Sequence, residues 1–188
     1  TCYSDKVGIW LGPSTSKHRP MPEVSVVLPA FLAASTVARA VGSILDQTHR
    51  DFELIVVDDG STDETADVVS RIGDPRLKLV RRKHRGVAAA ANAGTDLSGA
   101  PVIARMDADD VSHPTRLERQ LELIHRGDLD VVGCQVRILD ESGRSVPTLS
   151  RYQRWSNEET IEPQQIAALR FVELPIVSEV GEVLAMGV

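Results

Sequence analysis

Residues 52–59, Phe-Glu-Leu-Ile-Val-Val-Asp-Asp, contain the clearest strand signal in this chain of 188 residues. The apolar, largely β-branched run before the two aspartates is typical of a buried strand in a parallel sheet. Gly60 and the polar residues after it favour a turn followed by a helix N-terminus. The stretch therefore predicts a buried strand whose carboxyl end carries two adjacent carboxylates.

Further strands and helices alternate on both sides of this stretch, with short connections between them. Strands are predicted at 24–29, at 77–80, from 102 and at 131–136, and helices at 33–48, 65–72, 87–92 and 114–125. Gly94 is predicted to close the alanine-rich helix that begins at Val87. This alternation predicts an α/β protein, a three-layer α/β/α sandwich with a mostly parallel central sheet.

The stretch from Val102 to Pro114 begins as a short buried strand and then places three aspartates within four positions. In an extended chain, Asp107 and Asp109 would project from one face, with Cα atoms roughly 6.6 Å apart. Carboxylates at that spacing suit Mg²⁺ or Mn²⁺, which water and substrate phosphates often complete. The alternative is a turn without a ligand, since Asp also favours turns and helix caps.

Several candidate ligand-binding residues follow the carboxyl ends of predicted strands. They are Phe31, the pair Asp58–Asp59 and the segment Asp107–Asp109. In open sheets of this kind, ligands bind beyond the carboxyl ends of the strands. We therefore expect these residues at one edge of the sheet.

The composition limits the possible classes of protein. A 42% hydrophobic chain of this length can bury a core, and a net charge of −6 argues against a general nucleic-acid-binding protein. Two cysteines are too few for a disulfide framework or a zinc site, so a reduced, intracellular setting is expected. No apolar run is long enough for a transmembrane segment. Residues 1–22, rich in Ser, Pro, Gly and Lys, are predicted to be a disordered extension.

Five motifs, in order, resemble those of family 2 glycosyltransferases with the GT-A fold. They are VSVVLPAF at 24–31, SILDQT at 43–48, FELIVVDDGSTD at 52–63, RGVAAAANAG at 85–94, and MDADD followed by HPTRL at 106–117. The resemblance implies a GT-A-like, nucleotide-sugar-binding domain over 23–145 and an incomplete acceptor-side region over 146–188.

The resemblance also implies an activity. Family members use a divalent metal to transfer a sugar from a nucleotide-diphosphate sugar to an acceptor hydroxyl, usually with inversion. A UDP-sugar donor, an Mn²⁺ or Mg²⁺ cofactor and a carbohydrate or lipid-linked acceptor are therefore expected, as is a cytoplasmic location at the inner membrane face. The alternative is a non-catalytic nucleotide-binding or assembly module derived from the same fold.

Individual positions match residues with known roles in the family. The resemblance implies that Asp109 is the principal metal ligand, with Asp107 nearer the ribose or a metal-bound water. Asp59 is expected to accept a hydrogen bond from the base, which suits a group that offers only acceptors. The remaining expected nucleotide-sugar contacts come from Pro29, Ala30, Phe31 and Ala108, with the Phe31 ring stacking on the base.

Some positions depart from the family pattern or allow two interpretations. Leu32 stands where the family often has Asn, and Ala91 where it commonly has Arg. The basic residues at 81–85 suit either diphosphate binding or, as the preferred interpretation, a solvated basic face. Asp58 is either a base contact or an anchor for its own turn. No catalytic base is assigned, because the family's base lies far downstream of the metal motif.

Overall fold

The computed structural model describes residues 21–127, 129–140, 144–154 and 157, and the backbone of 178–186. The strands in chain order are β1 Val24–Ala30, β2 Phe52–Asp58, β3 Leu77–Arg81, β4 Val102–Arg105, β5 Val131–Ile138 and β6 Ser178–Met186. The helices are α1 Val37–Leu45, α2 Thr65–Ser70, α3 Val87–Asp96, α4 Arg116–His125 and α5 Ser150–Arg154, the last preceded by a 3-10 turn at Pro147–Leu149.

The described part of the chain divides into two compact units. The first draws on residues 21–38 and 51–108, and the second on residues 39–50 and those from 109 onward. The first unit holds a four-stranded parallel sheet in the order β3-β2-β1-β4, and the second holds the antiparallel pair β5-β6. The predicted α/β class with a mostly parallel sheet is confirmed.

The centre of the parallel sheet is also the core of the first unit. Every residue of β1 and β2 is buried. Each Val, Leu or Ile side chain removed from water contributes about 1.5–3 kcal/mol, so these two strands supply much of the hydrophobic stabilisation. β4 lies at the edge of this four-stranded sheet, and its residues alternate between half-buried and exposed. The prediction of a buried strand there is therefore wrong.

Helix α3 packs closely against the two central strands. A Cβ on Gly94 would overlap Val27 Cγ1 and lie 3.2 Å from Val57 Cγ2. Gly94 therefore permits a close approach inside the helix, and the prediction that it ends the helix is wrong, since α3 continues to Asp96.

A buried carboxylate links three strands near the amino end of the sheet. Glu53 accepts hydrogen bonds from Ser25 Oγ at 2.6 Å, Lys78 Nζ at 2.5 Å and Gly99 N at 2.7 Å. Burial raises the pKa of Glu53, but the hydrogen bonds from Lys78, Ser25 and Gly99 outweigh it and leave the pKa below its usual value. The carboxylate thus stabilises the sheet in its charged form.

Other predictions concern the chain ends. Residues 1–20 lie outside the described residues, as does most of the predicted acceptor-side region at 146–188. The domain boundaries after residues 22 and 145 stay predictions. Strand β6 was not predicted, and β5 pairs with it rather than with the parallel sheet. Among the described residues, none of the helices combines the length and the apolar character needed to cross a bilayer.

Candidate functional site

The register of the parallel sheet brings candidate residues of the first unit to its carboxyl edge. Ala30, the last residue of β1, pairs with Asp58, the last of β2, so Phe31 and Asp59 follow neighbouring strand ends. On the other side of β1, Arg105 pairs with Val27, and β4 ends two residues before Asp107. The register thus places Phe31, Asp58–Asp59 and Asp107 at one sheet edge, as predicted, whereas for Asp109, which belongs to the second unit, the same prediction stays a prediction.

Asp58 anchors its own turn. The carboxylate is fully buried, and it accepts a hydrogen bond from Ser61 N at 3.0 Å and pairs with Arg81 Nε at 3.3 Å. Both carboxylate oxygens thus have partners within the protein. Of the two interpretations of Asp58, the turn anchor is the one that these contacts support.

Asp59 holds the loop that leads from β3 to α3. Its carboxylate is 2% exposed and accepts hydrogen bonds from Arg85 N at 3.1 and 3.2 Å and from Gly86 N at 2.7 Å. It also pairs with Arg82 Nε at 3.2 Å and His84 Nδ1 at 2.9 Å. A carboxylate has about four acceptor positions. A further donor, such as a base N–H, would have to share or replace one of these partners.

His84 is the partner of Asp59 that can be replaced most easily. It is 54% exposed, whereas Arg82 is 19% exposed and also donates to the Ala89 carbonyl. The His84 ring stacks on Phe31, with centroids 4.1 Å apart and planes at 25°. Phe31 is itself 44% exposed, so an aromatic platform and a carboxylate lie together around one imidazole.

The first two residues of the basic cluster at 81–85 form ion pairs within the protein. Arg81 pairs with Asp58 and Arg82 with Asp59. The preferred interpretation, a solvated basic face, does not describe Arg82, which is mostly covered. Sequence reasoning missed these pairs because the partners lie more than twenty positions apart in the chain.

The turn between β1 and α1 gives a reason for the Asn that the family often has where Leu32 stands. Leu32 has a φ of +51°, in the left-handed region where Asn is better tolerated than Leu. Its N–H donates to Ser61 Oγ at 3.0 Å. Gly60, with a φ of +77°, has no room for a side chain, since a Cβ would lie 2.8 Å from His84 N. Turn geometry therefore accounts for the glycine at position 60, and it places Leu32 in a conformation that is unfavourable for leucine.

Pro29 and Ala30 are buried within β1. Their side chains have little surface to offer a ligand, and the Ala30 carbonyl accepts a hydrogen bond from Asp59 N at 2.9 Å. The structure therefore favours a supporting position beneath Phe31 for both residues. Their predicted role in binding the nucleotide sugar stays a prediction.

The aspartates after β4 have a different environment. The Asp107 side chain is 52% exposed and pairs with Arg105 NH2 at 3.1 Å, Ala108 is buried, and Asp109 is half-buried. The strand ends at Arg105 and a turn covers Ala108–Asp109, so the prediction of an extended chain there is wrong.

The donor chemistry of these aspartates fits a hard divalent cation. Within the described residues, no group of three or more His, Cys, Asp or Glu side chains is placed to hold a metal ion. Mg²⁺ in nucleotide-dependent enzymes is commonly held by one or two carboxylates together with substrate phosphates, so a larger cluster is not required. An exposed carboxylate such as Asp107 is the type of donor needed.

A second set of polar contacts lies in the second unit, around Gln47. This side chain is completely buried and bonds to residues at 112–117, the segment that follows the aspartates. The SILDQT motif was part of the resemblance, but no role was predicted for its glutamine. The available signal was a polar residue within that motif, close to the end of an amphipathic helix.

Comparisons with known proteins agree with the fold. The model of the family described as glycosyl transferase family 2 matches residues 25–177. An uncharacterised glycosyltransferase of Nostoc sp. is 33% identical over 138 residues, covering 68% of this chain and 43% of the relative. The succinoglycan biosynthesis protein ExoO of Rhizobium meliloti is 34% identical over 131 residues, covering 69% of this chain and 38% of the relative.

A solved structure with a similar fold is the mannosyltransferase PcManGT from Pyrobaculum calidifontis, in complex with GDP-Man and Mn²⁺. The TM-score is 0.57 at 24% identity, over 70% of this chain and 39% of the other. This similarity concerns the fold alone. The chain spans less than half the length of each of these relatives.

Proposed function

Because this chain belongs to glycosyl transferase family 2, we propose that it binds a nucleotide-diphosphate sugar and takes part in transferring the sugar to an acceptor hydroxyl. The observation that carries the proposal is the arrangement at the carboxyl edge of the parallel sheet. There the half-exposed Phe31 ring and the Asp59 carboxylate follow paired strand ends and share one imidazole neighbour. A planar base with an N–H donor is the ligand chemistry that suits this pair.

The base is proposed to stack on Phe31 and to donate to Asp59, with Pro29 and Ala30 supporting that position from β1. For Asp59 to accept from a base, His84 would give up its bond to the carboxylate while the backbone donors Arg85 N and Gly86 N keep theirs. The backbone bonds would hold the carboxylate in place, so the acceptor would be oriented before the ligand arrives. A UDP-sugar is the proposed donor.

The metal is proposed to be Mn²⁺ or Mg²⁺. Asp109 would be its principal ligand, and Asp107, with Ala108 beside it, would act nearer the ribose or a metal-bound water. When bound, such a cation neutralises the charge that develops on the leaving diphosphate. The exposure of Asp107 supports this role, because its carboxylate remains open to solvent beside Arg105.

The acceptor side is proposed in general terms. An acceptor hydroxyl on a carbohydrate or a lipid-linked sugar, reaction with inversion, and a cytoplasmic location at the inner membrane face are all proposed from membership of the family. The name of ExoO, a succinoglycan biosynthesis protein, supports a role in building polysaccharide. Inversion requires a general base on the acceptor hydroxyl, and none is assigned within this chain.

Calorimetry tests the proposal. Titrating UDP, and separately GDP, into the protein with Mn²⁺ or with EDTA should give micromolar-to-millimolar binding that strengthens with the metal. The Asp107→Asn variant should lose most of the metal-dependent gain, whereas Asp96→Asn, at an exposed aspartate on α3, should keep it. Equal affinities with Mn²⁺ and with EDTA would contradict the proposed metal site. Binding without sugar transfer in a longer chain that contains this region would favour the non-catalytic module instead.

A further inference from the structure

Gln47 makes an unusually complete set of hydrogen bonds in the second unit. The side chain is buried, and its Nε2 donates toward His113 O at 2.7 Å, Ser112 Oγ at 3.1 Å and Ser43 O at 3.1 Å. Its Oε1 accepts from Leu117 N at 3.0 Å. The two N–H groups of Nε2 are shared among these three acceptors and Oε1 has a donor, so the buried amide is satisfied on both sides and holds the groups that it bonds.

Neighbouring residues strengthen the same connection. Ser112 N donates to Ser43 Oγ at 3.0 Å, and Thr48 N donates to Pro114 O at 2.8 Å. The segment 43–48 is thus bonded repeatedly to the segment 112–117. The second segment begins two residues after Asp110 and runs into α4, which starts at Arg116.

We propose that Gln47 is a positioning residue for the aspartates that precede Ser112. By fixing the backbone at Ser112 and His113, it limits the directions in which Asp109 can present its carboxylate to a divalent cation. This assignment rests on the proposed function, since it requires Asp109 to be a metal ligand. It adds a residue that would contact neither the metal nor the nucleotide.

An amide side chain meets the requirements of this position at every pH, because it carries a donor and an acceptor without ionising. It must donate to the His113 carbonyl and accept from the Leu117 N–H at the same time. A glutamate has the right length but no donor when ionised, so its second oxygen would face the carbonyls of Ser43 and His113. The Gln47→Glu change therefore keeps the volume and reverses the hydrogen-bonding character.

A purely structural role for Gln47 makes a different prediction. If Gln47 only attached α4 to the second unit, its loss would lower the melting temperature, and the folded fraction would bind metal normally. If it positions Asp109, the folded variant should bind metal more weakly. Replacing a residue that orients a metal ligand without contacting the metal typically lowers metal affinity by about 10–100-fold.

The test compares Gln47→Glu with Thr48→Val, a neighbouring control that removes the exposed bond from Thr48 Oγ1 to Glu118. UDP affinity is measured by calorimetry in EDTA and in Mn²⁺, and Mn²⁺ affinity by electron paramagnetic resonance, at a temperature where each variant is folded. We expect Gln47→Glu to lower Mn²⁺ affinity by about tenfold or more, with UDP affinity in EDTA unchanged. Thr48→Val should match the parent in all three measurements.

The outcomes separate the two proposals. A parent chain without a metal-dependent gain would overturn the proposed function and this assignment with it. A parent with the gain, and a folded Gln47→Glu variant that binds Mn²⁺ as well as the parent, would overturn the assignment alone. If Gln47→Glu does not fold, Gln47→Met decides, because it keeps the length of the side chain and removes its bonds to Ser112, His113 and Leu117 without adding a charge. Unchanged Mn²⁺ affinity in Gln47→Met would then count against the assignment, and a loss would support it.

Discussion

The Asp58–Asp59 pair at the end of β2 and Asp107 after β4 follow neighbouring parts of the same sheet but lie in opposite environments. Asp58 and Asp59 are buried, and donors from the protein occupy their carboxylates. Asp107 is 52% exposed, with an equally exposed arginine beside it. A carboxylate whose acceptor positions are taken can accept from a ligand only where a partner such as His84 leaves, whereas an exposed carboxylate can bind a cation directly. The same residue type thus stands in two different environments at one edge of the sheet.

The largest effect is expected from Asp59→Ala. This change leaves the backbone N–H groups of Arg85 and Gly86 and the mostly buried Arg82 guanidinium without their acceptor. Removing one partner of a buried pair costs about 3–5 kcal/mol, and the free energy of unfolding in urea should fall by that amount. Asp107→Ala is the matched control. Equal losses in the two variants would remove the distinction between the two sets of aspartates.

Glu53→Gln tests whether a second buried carboxylate behaves as Asp59 is expected to. The substitution removes the charge of residue 53 and weakens the bonds from Lys78, Ser25 and Gly99. The free energy of unfolding should fall by about 1–3 kcal/mol near neutral pH. Since the folded-state pKa is lowered, the contribution is complete above the unfolded pKa of about 4.3 and is lost as the pH falls through the folded value. Urea denaturation from pH 7 to pH 3 should show a weaker acid dependence in the variant. Replacing Glu122, an exposed residue of α4, should leave that dependence unchanged.

The His84→Ala variant tests the partner of Asp59 that we expect a bound base to displace. A hydrogen bond from a half-exposed side chain contributes about 0.5–1.5 kcal/mol, so stability should fall by no more than that. Removing the ring frees Phe31 and one carboxylate position, so UDP affinity should rise by up to about fivefold, the equivalent of about 1 kcal/mol. Calorimetry checks this, and weaker binding would indicate that His84 contacts the nucleotide instead of competing with it.

Asp107→Asn should have the smallest effect on stability. The substitution alters an exposed pair with Arg105, so the free energy of unfolding should change by less than about 0.5 kcal/mol. The metal-dependent gain in UDP affinity should nevertheless be lost. A destabilisation comparable to that of Asp59→Ala would show that Asp107 belongs to the scaffold as well.

The strands of the first unit could be predicted because their signal is local. The runs at Val24–Ala30 and Phe52–Asp58 are apolar and β-branched, and all their residues are buried. The start of α1 could not be predicted in the same way. Apolar spacing favours a start at Ala33, but the helix begins at Val37, and Ala33 N donates to Thr65 Oγ1 from another part of the chain.

The candidate site was predictable in its residue types and not in its contacts. The positions of Phe31 and Asp59 follow from where two strands end, which the sequence indicates. The donors to Asp59 come from the loop after β3, and two acceptors of Gln47, Ser112 Oγ and His113 O, lie about 65 positions away. Such pairings depend on how the chain folds back on itself, so local composition carries no signal for them.

The turn at Gly60 has a consequence for how mutational scans of this chain should be interpreted. Its positive φ and the nearness of His84 N exclude every L-amino acid with a side chain. Position 60 will score as intolerant to substitution, and its neighbours in space will appear coupled to it, although glycine offers a ligand no functional group. Intolerance at position 60 reflects the lack of room for a side chain, and it should be distinguished from intolerance at residues that contact a ligand.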